Sequence, residues 1–239
     1  MSSHDQLFLV RISIYALLPL LLAAGHLLLD KQAQTPARRL ELFMLYLLAI
    51  GVGANGIGAT FGHLFLSDLI AEGAGWATGS PFQLEMGFAN LVIGVLGILS
   101  IGRRDRGFRA ATIIAAAILL FGATAVHLQD IIRTNNLAPG NTIQNVSNIL
   151  PPLLLIILAW RSARPTDDDA ESATFQSWQA RQQPIVGLAA AGVGAGFGIG
   201  FALGSPLLWT LVGVFVGVGI GLVISHRAVH KQADLIVNS

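Results

Sequence analysis

Seven apolar segments, each about as long as a bilayer is thick, divide this chain. A helix rises about 1.5 Å per residue, so a hydrocarbon layer of about 30 Å requires roughly 20 apolar residues. Only 11% of the residues are charged, against roughly 25% in a soluble domain. The sequence therefore predicts an all-α integral membrane protein with seven transmembrane helices. These helices are expected over 7–29, 40–66, 81–101, 109–130, 145–161, 184–204 and 206–225.

Lysine and arginine are distributed unevenly between the two predicted sides. Cytoplasmic loops of membrane proteins are enriched in these residues. Twelve of the 14 cations fall on one side, and only Arg11 and Arg133 fall on the other. We therefore predict that the N-terminus lies outside and the C-terminus inside. The twelve predicted inner cations are Lys31, Arg38, Arg39, Arg103, Arg104, Arg106, Arg109, Arg161, Arg164, Arg181, Arg227 and Lys231.

Composition along the chain predicts two membrane blocks. Residues 1–161 form a five-span block with short connections, and 162–183 are polar and acidic at first, as in a solvated linker. We expect this linker to be cytoplasmic, with Phe175 and Trp178 at the membrane interface. A Gly-rich hairpin of two helices then occupies 184–226, and 227–239 form a cytoplasmic tail.

The hairpin carries glycines at four-residue spacing. Glycines four apart line one face of a helix, which lets a second backbone approach closely in a membrane. One interpretation is a tight hairpin within the chain; the other is a glycine-zipper face for a second copy or a partner membrane protein. The helix-packing glycines are Gly192, Gly196, Gly200, Gly204, Gly213, Gly217 and Gly221.

The start of the third span places a carboxylate near the outer boundary. In G-S-P-F-Q-L-E, Ser80 is a candidate N-cap, Pro81 suits the first turn, and Gln83 completes a capping box with Ser80. Glu85 then lies near the positive N-terminal end of the helix dipole. The preceding Gly-rich loop is expected to fold Trp76 back over the outer interface.

Two histidines are predicted at the same depth as Glu85. His63 lies near the outer end of the second span and His127 near the outer end of the fourth. Asp130 follows His127 by three residues and shares its face. With Arg11 and Trp76, this layer is the predicted ligand-binding surface. Its acidic members are Asp68, Glu72, Glu85 and Asp130.

Three interpretations of this outer layer stay open at the sequence level. His63, His127 and Glu85 form an adequate ligand set for a divalent metal, and the same groups suit a small polar ligand. They also suit a proton relay. In the purely structural alternative, the histidines hydrogen-bond across helices and Glu85 pairs with Arg11.

Several function classes find no support in the sequence. There are no cysteines, which excludes thiolate metal sites and cysteine nucleophiles. The net charge of +1 gives no indication of a nucleic-acid partner. Phosphate-binding loops and nucleophile elbows are missing from the sequence, so no catalytic residue is assigned and an enzyme is not indicated. We predict binding of a metal or small polar ligand, with an assembly subunit docking through the hairpin or a small-solute transporter as alternatives.

The run G-W-A-T-G-S-P-F-Q-L-E-M-G-F-A-N-L-V-I-G-V-L-G-I-L-S, over 75–100, resembles a helix typical of an uncharacterised protein family. Members of that family are small bacterial multi-pass membrane proteins with an E-x-G-F-A-N-L segment followed by spaced glycines. The resemblance extends over the five-span block and leaves out the Gly-rich hairpin. It implies a location in the bacterial plasma (inner) membrane and implies no activity.

Overall fold

A computed structural model describes residues 9–32, 35–103, 105–162 and 169–237, and their side chains except those of 169–173 and 228–237. Within these ranges the chain is helical and contains no strand, as predicted. The helices, in chain order, are α1 (Leu9–Leu29), α2 (Pro36–Phe65), α3 (Ser67–Gly73), α4 (Phe82–Gly102), α5 (Arg106–Thr134), α6 (Gln144–Ser162), α7 (Asp169–Ala202) and α8 (Pro206–Val237).

Six of these helices are long and apolar enough to cross a membrane in the described part of the chain: α1, α2, α4, α5, α7 over Thr174–Ala202 and α8 over Pro206–Arg227. The predicted span at 145–161 is the helix α6, but it is not one of the six, so the count of seven is not confirmed. The first turns of α6 explain why it is less apolar than the six. They contain four polar side chains that are buried: Gln144, Asn145, Ser147 and Asn148.

Helix boundaries follow from local side-chain chemistry. Thr35 caps α2, accepting a hydrogen bond from the Arg38 amide at 3.4 Å, and Asp105 caps α5 through the amides of Gly107 and Phe108. Asn135 ends α5 in the left-handed conformation, with φ of 57°. This residue reverses the chain, so the segment after α5 stays at the end of the bundle that holds His127.

Helix α2 lies at the centre of the bundle. In its apolar stretch 83% of the residues are buried, against 22–39% in the other five membrane-length helices. Its middle, Leu47–Ala54, is π-helical and completely buried. A π-helical turn holds more residues than an α-helical turn, so this segment rotates the following residues about the helix axis.

Glycines bring the backbones of α2 and α4 into direct contact. A Cβ on Gly56 would lie 2.6 Å from Gly94 Cα, and a Cβ on Gly97 would lie 2.6 Å from Gly53 N. Close packing therefore accounts for the glycines that surround Asn55 in the sequence. Small residues permit this approach where lipid supplies no hydrophobic drive between helices.

The predicted packing glycines of the hairpin lie between α7 and α8. A Cβ on Gly192 would overlap the carbonyl oxygen of Gly213, and one on Gly217 would overlap that of Leu188. Gly204 occupies the turn between the helices, with φ of +72°. These glycines therefore support a hairpin within one chain.

The part of the predicted linker that the structure describes, 169–183, is the first half of α7 rather than an irregular segment. Trp178 is fully buried instead of interfacial, and its Nε1 donates to Asp30 Oδ2 at 2.7 Å. Gln179 is buried as well and donates to the carboxylate of Glu41. Polar composition predicted solvation here, but these side chains find buried acidic partners. Of the predicted tail, residues up to 237 continue α8.

A buried ion pair lies beside this contact. Arg109 Nη1 donates to Glu41 Oε1 at 2.7 Å, and the two side chains are 7% and 8% exposed. Arg109 Nε also bonds the carbonyl oxygens of Ser100 and Arg103. We call this end of the bundle, marked by Arg38, Arg103 and Arg109, the arginine end, and the opposite end, marked by His63, Trp76 and His127, the histidine end.

The glycine contact between α2 and α4 predicts a position-specific loss of stability. We expect Gly94→Ala to lower the free energy of unfolding by about 1–3 kcal/mol, as overpacking of a close contact does, because the new Cβ would lie 2.8 Å from Ile57 N. Gly122→Ala on α5 is the matched control, since nothing lies within 4 Å of its Cβ position. Thermal unfolding in detergent followed by circular dichroism measures both. Equal melting temperatures for the two variants would contradict the assigned contact.

Candidate ligand site at the histidine end

Six elements meet at the histidine end: the start of α1, the end of α2, the 66–81 connection containing α3, the start of α4, the end of α5 and the start of α6. The structure brings some of the predicted site residues together here and leaves others apart. His63, His127, Arg11, Trp76 and Asp130 form one group. Asp68, Glu72 and Glu85 are exposed.

The carboxylate of Asp130 organises the cap over this end, a name we use for the 66–81 connection together with 135–143, the chain between α5 and α6. Oδ2 accepts hydrogen bonds from Trp76 Nε1 and Asn136 Nδ2, each at 2.8 Å, and from Asn141 Nδ2. Thr134 Oγ1 donates to Oδ1 at 3.1 Å. With four donors the carboxylate is well satisfied, so it serves as an anchor rather than as a free ligand.

The same network ties the 66–81 connection to the chain after α5. Asn136 Nδ2 also donates to the carbonyl oxygen of Ala74 at 2.8 Å. The backbone amide of Gly140 donates to the carbonyl oxygen of Gly73 at 2.9 Å. A Cβ on Gly140 would lie 2.7 Å from the carbonyl oxygen of Gly73. Glycine at 140 therefore permits the two segments to lie in contact.

Asp130 sets the orientation of His127 through Asn141. An ionised carboxylate only accepts hydrogen bonds, so the Asn141 amide must present its nitrogen to Asp130 and its oxygen to the other side. That oxygen lies 2.7 Å from His127 Nδ1. Nδ1 is therefore protonated and donates, which leaves Nε2 with a free lone pair. The indole of Trp76 stacks on the imidazole, with centroids 4.9 Å apart and planes 11° from parallel.

His63 is held in a similar way. Its Nδ1 lies 2.6 Å from Gln83 Oε1, and Gln83 is buried. The predicted capping box is therefore wrong in one half: Ser80 Oγ does accept from the amide of Phe82, but Gln83 turns to His63 instead of back to Ser80. The amide oxygen again makes Nδ1 the donor, so the lone pair of His63 is also on Nε2.

Arg11 is the third member of this group, on α1. Its Nη2 donates to Asn55 Oδ1 at 3.3 Å, and its guanidinium interacts electrostatically with both His63 and His127. The pair of Arg11 with Glu85, which belonged to the structural alternative, is not formed. Glu85 makes no hydrogen bond or ion pair with any described residue, because its position on α4 points it away from the bundle. Arg11 instead uses a neutral partner on α2.

The predicted metal set is not assembled as a group of three. Among the described residues, no cluster of three or more His, Asp or Glu side chains is placed to hold a metal ion. Glu85 is exposed and Asp130 is occupied by its donors. A metal at this end would have only the two histidine Nε2 atoms from the predicted set.

A family model matches residues 10–168, which is more than half of the chain. The chain belongs to DUF6790, a family of unknown function. The DUF6790 region contains every residue of the histidine-end group and all of α1 to α6 except Leu9. The helical hairpin from 184 onward lies outside it. No curated protein and no solved structure matches the chain.

Within the DUF6790 region, the residues that sequence reasoning missed are uncharged. Asn136 and Asn141 fix the cap and one imidazole, and Gln83 fixes the other. The sequence did contain an indication of these residues. Asn141 begins a segment rich in amide and hydroxyl side chains, 141–148, just before an apolar stretch. Such groups need buried partners, but their spacing does not name the partners.

The cap over the histidine end predicts a local response to one substitution. Asp130→Asn should expose the 66–81 connection, because one neutral amide oxygen would have to accept the three hydrogen bonds that Trp76, Asn136 and Asn141 now donate to a carboxylate, and such bonds are weaker without the charge. We expect severalfold faster hydrogen exchange at the amides of Trp76 and Gly140, measured by mass spectrometry in detergent. Glu72→Gln is the control, since its exposed carboxylate accepts no hydrogen bond from a described residue. Unchanged exchange in Asp130→Asn would contradict the anchoring role.

Proposed function

We propose that this multi-pass membrane protein binds a small polar ligand at its histidine end, through His63, His127 and Arg11. The observation that carries the proposal is the paired orientation of the imidazoles. Each Nδ1 is held by an amide oxygen, so each Nε2 lone pair is left for another group. Neither Nε2 bonds a described residue, and neither is among the described polar atoms that are sealed in the protein without a partner. Histidines that bind a metal donate their other ring N–H to a protein acceptor in the same way.

The location of these polar groups adds support. Ionisable residues within membrane segments are costly and occur mostly where they serve a function. Arg11, His63 and His127 all lie within helices of membrane length. At the arginine end, Arg109 is paired with Glu41. The histidine end has no corresponding ion pair for Arg11 among the described residues.

We also propose that the chain crosses the membrane seven times, with the histidine end outside the cell and the arginine end in the cytoplasm. The basic side chains at the arginine end support this orientation. The path of the chain supports the seventh crossing: α5 ends at the histidine end, and α7 contacts Asp30 and Glu41 at the arginine end. Helix α6 therefore runs between the two ends. A plasma (inner) membrane of a bacterium is the proposed location.

The topology can be tested by cysteine labelling, because the natural chain has no cysteine. Thr78→Cys in the cap and Ser177→Cys at the start of α7 are both at exposed positions. We expect a membrane-impermeant maleimide to label Thr78→Cys in intact cells and Ser177→Cys only after permeabilisation. Labelling of both variants in intact cells would contradict the seventh crossing. The reverse pattern would contradict the orientation.

Ligand binding can be tested by thermal shift, since a ligand that binds the folded state raises its melting temperature. The probes are Zn²⁺, phosphate, acetate and glycerol at millimolar concentration, added to detergent-solubilised protein. We expect at least one of them to raise the melting temperature of the natural protein and not of the His63→Asn/His127→Asn double variant. His26→Asn is the matched control, because His26 bonds Tyr46 near the arginine end. No shift with any probe, or equal shifts in the double variant, would overturn the binding proposal.

The two alternative functions have less structural support. Assembly through the hairpin would need a second glycine face, because Gly192, Gly196, Gly200, Gly213, Gly217 and Gly221 are used between α7 and α8; Gly194 and Gly198 leave such a face open on α7. Transport would need polar groups along the middle of the bundle, but the buried centre of α2 between Glu41 and Asn55 is apolar apart from the Tyr46 hydroxyl, which bonds His26.

A further inference from the structure

Arg11 presents most of its hydrogen-bonding capacity without a protein acceptor. A guanidinium has five N–H donors and no acceptor, and only Nη2 bonds a described residue, the neutral Asn55. Asp130 is saturated by its four donors. Guanidinium groups bind carboxylates most strongly, through two parallel hydrogen bonds. The vacant side of Arg11 is therefore suited to an anionic oxygen pair.

Tyr15 supplies a second unused donor next to Arg11. It lies one turn further along α1, is 2% exposed, and its hydroxyl has no partner among the described residues. The hydroxyl lies 2.9 Å from the position that a Cβ on Gly58 would take. Glycine at 58 thus makes room for this hydroxyl against the backbone of α2. A buried unpaired hydroxyl costs free energy unless a bound group satisfies it.

His63 and His127 require the opposite kind of group. With Nδ1 protonated on both rings, each Nε2 is an acceptor and needs an O–H or N–H donor. A second cation between them would be repelled by Arg11, with which both rings interact electrostatically. A neutral hydroxyl meets the requirement without adding positive charge.

Resting on the proposed function, we propose that the ligand is a small hydroxycarboxylate, with its carboxylate on Arg11 and Tyr15 and its hydroxyl donating to a histidine Nε2. The hydrogen-bond donors of Arg11 and Tyr15 then match the carboxylate of the ligand, and the histidine acceptors match its hydroxyl. The stacked indole of Trp76 covers one face of the His127 ring. Free metal ions and amino acids are the competing ligands, because an ion or an ammonium group would also occupy the Nε2 positions.

The test compares probes that each lack one feature of this ligand. Glycolate has both groups, acetate lacks the hydroxyl, ethylene glycol lacks the carboxylate, and glycine replaces the hydroxyl with an ammonium. We expect calorimetry on the detergent-solubilised full chain to give glycolate an affinity about tenfold above that of each other probe, the equivalent of one added hydrogen bond. Because it uses the natural protein, this comparison does not depend on the folding of any variant.

Variants then locate the binding. Arg11→Gln should lower glycolate affinity at least about tenfold, as loss of a charge-assisted contact does, and Tyr15→Phe should lower it severalfold. Tyr46→Phe is the matched control, because Tyr46 is also buried on a central segment but bonds His26 away from the site. Unchanged glycolate affinity in Arg11→Gln would overturn the assignment.

The outcomes separate this inference from the proposed function. If Zn²⁺ binds and the histidine double variant abolishes its binding while glycolate does not bind, the hydroxycarboxylate is overturned and the binding site stands. Glycine binding more tightly than glycolate would overturn the hydroxyl assignment in the same way. If no probe binds the natural protein, both proposals fail.

Discussion

The glycine contact between α2 and α4 is the interaction on which the rest of the structure depends. It buries α2 in the middle of the bundle, so this one helix carries polar groups at both ends and apolar side chains between them. Glu41 meets Arg109 and Gln179 at one end, and Asn55 and His63 face the other. In lipid, where apolar side chains gain little from helix association, such close backbone packing is the main source of specificity.

The orientation of the side chains at the histidine end depends on neutral amides more than on charges. Asp130 orients Asn141, and Asn141 orients His127; Gln83 orients His63. Each imidazole thereby receives one defined tautomer. The arginine end contrasts with this arrangement, because there Glu41 pairs directly with Arg109. A paired charge stabilises a fold, whereas an unpaired one with oriented acceptors beside it is suited to bind.

Sequence reasoning placed the helices well and the partners of individual side chains less well. The helices at 9–29, 36–65 and 82–102 agree closely with the predicted spans, because apolar length is a property of contiguous residues. Depth along the helices also placed His63 and His127 at one end, since rise per residue is constant. The pair of Arg11 with Glu85 that the structural alternative contained is not formed, and the helical first half of α7 was expected to be a solvated linker. In both cases the deciding factor was rotation about a helix axis, which hydropathy does not report.

The sequence by itself determined that the chain forms membrane-length helices and that basic side chains gather at one end of them. Those features follow from the thickness of the bilayer and the cost of unsatisfied backbone groups in lipid, which act on each segment separately. Only the tertiary structure decided that Asn136, Asn141 and Trp76 meet on Asp130, and that two Nε2 atoms bond no described residue while the guanidinium of Arg11 bonds only the neutral Asn55 among them. The physical reason is that hydrogen-bond partners are chosen by the packing and rotation of several helices at once, across as many as 152 positions of sequence.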